Sequence, residues 1–203
     1  LSMNTLLKSL LLLFLTAACT RPQNEGLITY EDQIDSLMSI MTLEEKIGQM
    51  NQYNGFWDVT GPVPSDGDAS QKYENLRKGL VGSRLHVTGV EEVRKIQKIA
   101  VEESRLGIPL IIGFDMIHGM KTMSPIPLAE AASWDMEAIK QSSRIGAREA
   151  AAMGVNWTFA PMVDVGRDAR WGRVMEGAGE DTYLNSQIAV ARVQGYQGED
   201  LSD

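Results

Sequence analysis

The chain holds a single cysteine, Cys19, in 203 residues. One cysteine excludes a disulfide framework and a cysteine-based metal site within the chain. Histidine is almost as scarce: His86 and His118 stand in different segments. Neither has the paired spacing of a motif such as H-E-x-x-H, so there is no clustered metal signal. Positive charge is short as well, with 19 Lys and Arg against 27 Asp and Glu and a formal net charge of -8. The basic residues are spread out, and an acidic chain without a basic stripe is not built for nucleic acid. No apolar run reaches the ~20 residues of a membrane-spanning helix. No internal repeat or low-complexity segment stands out. What remains is ordinary globular composition, 43% hydrophobic and 23% charged, with enough apolar material for a core.

The N-terminus reads as a targeting segment. Lys8 supplies positive charge, Leu10 to Leu15 an apolar core, and Ala17 and Ala18 the small residues before Cys19. That is the order of a secretory signal. The run L-T-A-A-C is also similar to a bacterial lipobox, with Cys19 the residue to be lipidated. It departs from that pattern at Thr16, where leucine is usual. The alternative is an ordinary cleaved signal with an incidental cysteine. Thr20 rather than Asp after Cys19 resembles outer-membrane rather than inner-membrane bacterial lipoproteins. The expectation is an exported protein of a Gram-negative bacterium, in the periplasm or held at the outer membrane through Cys19. Residues 1–19 are then the signal, 20–29 a polar tether and 30–203 the folded domain.

Along that domain, helices and strands alternate. Ile34, Leu37, Met38 and Met41 have helical spacing and are expected as core contacts. Thr42 and Glu45 make a T-x-x-E capping box that restarts a helix, with Leu43, Ile47 and Met50 on one side. Residues 51–72, with Gly55, Gly61, Pro62, Pro64 and Gly67, read as a loop. Its Trp57 is either tucked against its own domain or a platform for a sugar. Gly82 to Val87 reads as a strand. Glu91 to Ser104 reads as a helix with Val93, Ile96, Ala100 and Val101 on its apolar face, stopped near Gly107. Pro109 to Phe114 is fully apolar, the mark of a strand covered on both faces. A helix follows within Ala131 to Met153, capped by Ser133 or Asp135 and ended by Gly154. Val155 to Val163 is the next strand and Asn185 to Gln197 the next helix. This alternation predicts a parallel α/β fold.

In such folds chemistry sits at the C-terminal ends of the strands. Two strand ends here carry unusual polar residues. Asp115 ends the first. The second leads into Asp164 to Asp181, D-V-G-R-D-A-R-W-G-R-V-M-E-G-A-G-E-D. This stretch sets Arg167, Arg170 and Arg173 among Asp164, Asp168, Glu176, Glu180 and Asp181, around Trp171. A solvated loop with chance ion pairs is the plain reading, and a binding site is the sharper one.

Two motifs decide between these readings. Gly113 to Gly119, G-F-D-M-I-H-G, is followed by S-P-I-P-L at Ser124 to Leu128. Ala160 to Asp181 reads A-P-M-V-D-V-x-R-D-x-R-W-G-R-x-x-E-G-x-G-E-D. Together they resemble glycoside hydrolase family 3, in particular its bacterial periplasmic β-glucosidases, over about Tyr30 to Asp203. The resemblance implies a (β/α)8 barrel that binds a terminal sugar at its mouth. It implies that Asp115 and Arg173 hold sugar hydroxyls in the innermost subsite. A carboxylate accepts from two neighbouring hydroxyls and a guanidinium fork donates along a fixed plane, both by charge-assisted bonds. Arg167, Asp168, Arg170, Glu176, Glu180 and Asp181 are expected to lock the loop and aim Arg173. His118 is expected to tie the turn after Asp115. Asp164 is not taken as a nucleophile.

Retaining hydrolysis needs a nucleophile and an acid/base flanking the bond. In the family resembled, the nucleophile lies on a later barrel strand and the acid/base comes from a second domain. A complete barrel takes about 250 residues, more than this chain offers after its tether. The expectation is an incomplete barrel, its first four to five units, at the N-terminal end of an exo-acting retaining β-glucosidase. Alone it would lack glycosidase activity. No cofactor or metal is implied; the implied partner is a β-glucoside or oligosaccharide. The alternatives are a β-xylosidase of the same family and a non-catalytic sugar-binding lipoprotein. A β-N-acetylhexosaminidase fits poorly, since those enzymes carry a D-x-E-G-G type motif where this chain has D-M-I-H-G.

Overall fold

The computed structural model describes residues 30–54 and 67–198. The signal with Cys19, the tether, and the loop with Trp57 lie outside the described residues. The chain divides into two units, Leu1–Ile40 and Met41–Asp203.

The first unit contributes helix α1 (Glu31–Ile40), with two acids in its first turn where the helix dipole favours them. The expectation of core contacts here is not met. Ile34 is 55% exposed, and Leu37 and Met38 are exposed too, while Met41 just beyond is half-buried. Helical spacing fixes which residues share a face, but it cannot say whether anything covers that face.

The second unit opens with α2 (Leu43–Gln49). Its capping box forms as read: the Glu45 amide donates to Thr42 Oγ1 at 3.2 Å, and the Thr42 amide donates to the Glu45 carboxylate at 2.8 Å. Gly48 lets this helix approach the chain closely, because a Cβ there would stand 2.4 Å from Leu80 Cα. The side bearing Leu43, Ile47 and Met50 is exposed.

Residues 51–72 are not simply a loop. They contain strand β1 (Gln52–Asn54) and the start of helix α3 (Gly67–Arg77). A three-residue strand is too short for alternation to reveal it, and the glycines and prolines around it dominate the local signal. Three further strands follow: β2 (Ser83–Leu85), β3 (Ile111–Phe114) and β4 (Trp157–Thr158). All neighbours pair in parallel, in the order β1-β2-β3-β4. The parallel α/β expectation therefore holds. The sheet adds each new strand beside the last, without the reversal of a doubly wound fold. Strand β4 is shorter than expected. After Phe159, whose amide still donates to the Phe114 carbonyl at 3.4 Å, Pro161 has no N–H to continue the ladder.

Helix α4 (Val90–Lys98) runs into a π-helical turn, Ile99–Glu103. Val93, Ile96 and Ala100 are buried as expected, but Val101 is 46% exposed. The wider π turn shifts the buried face, so Ile99 takes the inner place. The core lies on one face of the sheet. Tyr73 and Leu76 of α3 and Val93 and Ile96 of α4 pack on Leu110 and Ile112. Strand β3 is consequently not covered on both faces: Ile112 is sealed, but Ile111 on the opposite face is 51% exposed. That face carries Trp157 and Phe159, whose rings close over Gly113.

The C-terminal part adds the short helix α5 (Pro127–Ala131) and the long helices α6 (Met136–Ala152) and α7 (Thr182–Gln197). Asp135 caps α6 through the Ala138 amide at 3.0 Å. Gly154, at φ +87°, follows its end. Helix α7 starts before the expected Asn185, because Asp181 caps it through the Leu184 amide at 2.6 Å. Helices α6 and α7 pack tightly, with Ile139 and Ile188 in a second core.

Candidate functional site

Two loops leave the C-terminal ends of neighbouring strands. The first starts at Asp115, exposed directly after β3, and runs to Ile126. Its fold is fixed from several sides. The Ser124 amide donates to the His118 carbonyl at 2.9 Å. Gly119, at φ +104°, makes a turn so tight that a Cβ would stand 2.1 Å from the Thr122 carbonyl oxygen. Glu149 of α6 accepts from the Lys121 and Thr122 amides, both at 2.8 Å, and from the Thr122 hydroxyl at 2.6 Å. These bonds, led by that of the hydroxyl, hold the Glu149 carboxyl below the usual carboxylate range. His118 ties the turn through its backbone. Its ring Nδ1 is buried with no hydrogen-bond partner among the described residues.

The second loop follows β4 and contains a 3-10 turn, Val174–Glu176. It folds back on itself, with the Gly166 amide donating to the Gly179 carbonyl at 2.9 Å. Asn185 of α7, itself buried, donates to the Asp164 carbonyl at 3.1 Å. Arg173 and Glu176 form a two-pronged pair: Nε donates to Oε1 at 2.9 Å and Nη2 to Oε2 at 2.6 Å. The hydrogen bond to Glu176 raises the Arg173 pKa first of all, and the charges of Asp115 and Asp164 add to it. Arg173 thus lies within electrostatic reach of Asp115 across the two strand ends.

The other charges do not make one network. Arg170 pairs with Asp168 in a separate fork, at 2.6 Å from Nη2 to Oδ2, and both are exposed. That bond lowers the Asp168 pKa and raises that of Arg170. Asp181 serves as the α7 cap. Arg167 and Glu180 are exposed, and their side chains make no ion pair among the described residues.

One residue at the site has no signal in the spacing. His86 follows β2, holds a positive φ of 59°, and sets its ring edge-on to Phe114 at 5.2 Å. A non-glycine residue in the left-handed region at a strand end is uncommon, and its conformation is invisible in sequence. A groove of about 640 Å³ lies elsewhere, between α6, α7 and β4, and neither Asp115 nor Arg173 lines it. It runs along β4, and its walls mix alanine, valine and Trp157 with polar residues such as Arg144, Arg148, Asn156 and Gln197.

An exposed carboxylate and a guanidinium on loops that leave neighbouring strands can hold a ligand with neighbouring hydroxyls. The glycosyl hydrolase family 3 N terminal domain matches residues 42–203. A periplasmic beta-glucosidase of Salmonella typhimurium is 39% identical over 170 residues, covering 84% of this chain and 21% of that protein. A putative beta-xylosidase of Formosa agariphila is 31% identical over 182 residues, covering 84% of this chain and 24% of that protein. The crystal structure of a beta-glucosidase from Listeria innocua in complex with glucose superposes with a TM-score of 0.73 at 40% identity, covering 83% of this chain and 24% of that one. The chain thus spans about a quarter or less of the length of these relatives.

Proposed function

Because the chain belongs to glycosyl hydrolase family 3, we propose that it forms the sugar-binding N-terminal part of an exo-acting, retaining β-glucosidase. Asp115 and Arg173 hold hydroxyls of the terminal β-glucosyl residue in the innermost subsite. The observation that carries this is their placement on loops that leave adjacent parallel strands, with the Asp115 charge among those that raise the Arg173 pKa. Glu176 orients the Arg173 fork. Contacts of this kind strengthen as the sugar ring flattens toward the transition state. The four parallel strands in chain order are read as the opening units of a (β/α)8 barrel. The nucleophile and the acid/base are supplied by residues outside this chain, so the chain alone turns over no glycoside. The N-terminal signal directs export to the periplasm, a reading supported by the named location of the Salmonella relative.

The test uses the full-length parent protein and aryl glycosides. Release of the aryl group from a β-glucoside is expected, with Asp115→Asn lowering kcat/KM about ten- to a hundred-fold through the lost charge-assisted bonds. Equal loss is expected for Arg173→Gln. Wild-type parent protein that binds sugar without hydrolysing any glycoside would favour a sugar-binding lipoprotein instead. The Formosa relative supports a second reading, β-xylosidase. A xyloside lacks the hydroxymethyl group of glucose, so the ratio of kcat/KM for the two aryl substrates decides between them.

A further inference from the structure

The loop that carries Asp115 is gripped from beneath by one helix. Tyr196 Oη donates to the Met116 carbonyl at 3.0 Å. Arg192 Nη1 donates to the Ile117 carbonyl at 3.3 Å. These are the first two carbonyls after Asp115. Arg192 and Tyr196 stand at i and i+4 on α7, so both donors leave one helix face toward consecutive peptide groups. Arg192 is aimed by Glu130 of α5, whose Oε2 pairs with Arg192 Nη2. Glu130 Oε1 in turn accepts from Ser142 Oγ of α6 at 2.8 Å. The two charged side chains are buried, at 4% and 7% exposure.

A buried ion pair is often no better for stability than apolar residues of similar volume. Stability alone therefore does not explain a guanidinium that spends its second nitrogen on a loop carbonyl. The phenol of Tyr196 has its pKa raised by burial, and the charge of Asp115 contributes to the same shift. The two groups are thus within electrostatic reach of one another. The geometry points to Arg192 and Tyr196 as positioning residues for Asp115, with Glu130 fixing the direction of Arg192. Helix α7 fixes the peptide planes after Asp115, and these set where its carboxylate meets the sugar. Asn185 at the other end of α7 holds the start of the Arg173 loop through the Asp164 carbonyl. One helix therefore sets both halves of the site. The inference rests on the reading of Asp115 as a sugar-binding residue.

The test is a double-mutant cycle in the full-length parent protein with an aryl β-glucoside. Tyr196→Phe keeps the ring and removes the hydrogen bond to the Met116 carbonyl, along with the hydroxyl's interaction with Ser143. It is expected to lower kcat/KM about five-fold and to weaken inhibition by glucose similarly, with the melting temperature lowered by only a few degrees, as the loss of about 1 kcal/mol of stability implies. In an Asp115→Asn background the same change is expected to have no further effect, because its action runs through that carboxylate. Arg192→Lys, which keeps the charge, should lose less activity than Arg192→Gln. Independent losses in the cycle, or a Tyr196→Phe variant with unchanged kinetics, overturn the positioning role. If Asp115→Asn itself leaves kcat/KM unchanged, the reading of Asp115 fails first and the inference falls with it. Loss of kcat/KM only in proportion to a lowered melting temperature would assign both residues to stability alone.

Discussion

Helices α6 and α7 meet at Gly195, and adding one methyl group there tests how that contact is built. A Cβ at Gly195 would lie 2.4 Å from the Lys140 carbonyl oxygen and 2.7 Å from Ser143 Cβ. The carbonyl belongs to helix backbone and cannot rotate away. Two effects oppose each other in Gly195→Ala. Replacing a helical glycine by alanine gains up to about 1 kcal/mol of helix propensity, and less in the last turn of α7, where Gly195 stands. Forcing two packed helices apart costs about 1–3 kcal/mol. Separations this far inside contact distance place the cost at the upper end, so a net loss of about 1–2 kcal/mol is expected. With a urea dependence of about 2 kcal/mol per molar, the midpoint falls by roughly 0.5–1 M. Gly146 of α6 is the control. A Cβ there meets nothing nearer than Gly119 Cα at 3.8 Å, an ordinary contact. Gly146→Ala should therefore raise the midpoint by up to about 0.5 M. Urea melts of the three proteins followed by circular dichroism are the assay. Shifts of the same sign in both variants would refute the packing argument.

Three further outcomes follow from named contacts. Removing the α7 cap by Asp181→Ala should cost about 1 kcal/mol in urea melts, and Asp181→Asn much less. Arg192→Met leaves the Glu130 carboxylate buried without its partner and should cost about 3–5 kcal/mol; adding Glu130→Leu should recover most of that, and a double variant no more stable than the single would count against a true pair. Glu149 and Glu45 should shape the acid limb of stability. The Thr122 hydroxyl lowers the pKa of Glu149, and the Arg105 hydrogen bond lowers that of Glu45. A pKa depressed in the folded state gives stability that is present above the unfolded value and lost as pH falls through the folded one. Melts between about pH 3 and 6 should therefore steepen toward acid, and less so for Glu149→Gln.

The fold was legible where local chemistry decides it. The capping box at Thr42 and the cap at Asp135 need only neighbours in sequence, and they form. The parallel order follows from alternation of helices and strands. What could not be read is anything that depends on what lies across from a segment. Ile34, Ile111 and Val101 are as apolar as their buried neighbours, yet each faces solvent. Val101 is the sharpest of these, because a single π turn rotates it out while leaving the sequence pattern of a helix intact.

The site shows the same division at larger distance. Asp115 and Arg173 stand out in sequence because each sits in a dense polar motif at a strand end. The residues that hold Asp115 in place do not, because nothing local marks them. Arg192 and Tyr196 lie 75 and 80 positions from the carbonyls they bind, and within α7 they look like ordinary helix residues. Their donors matter only because α7 passes beneath the strand ends. Placement of that helix is set in turn by a cap in the Arg173 loop and by glycine-mediated contact with α6. A change at Gly195 should for that reason reach the sugar. If α7 is displaced by an added methyl group, both anchored loops move together. In the full-length parent protein Gly195→Ala should then weaken glucose binding by more than its modest loss of stability explains, since the affected contacts lie at both ends of one rigid element.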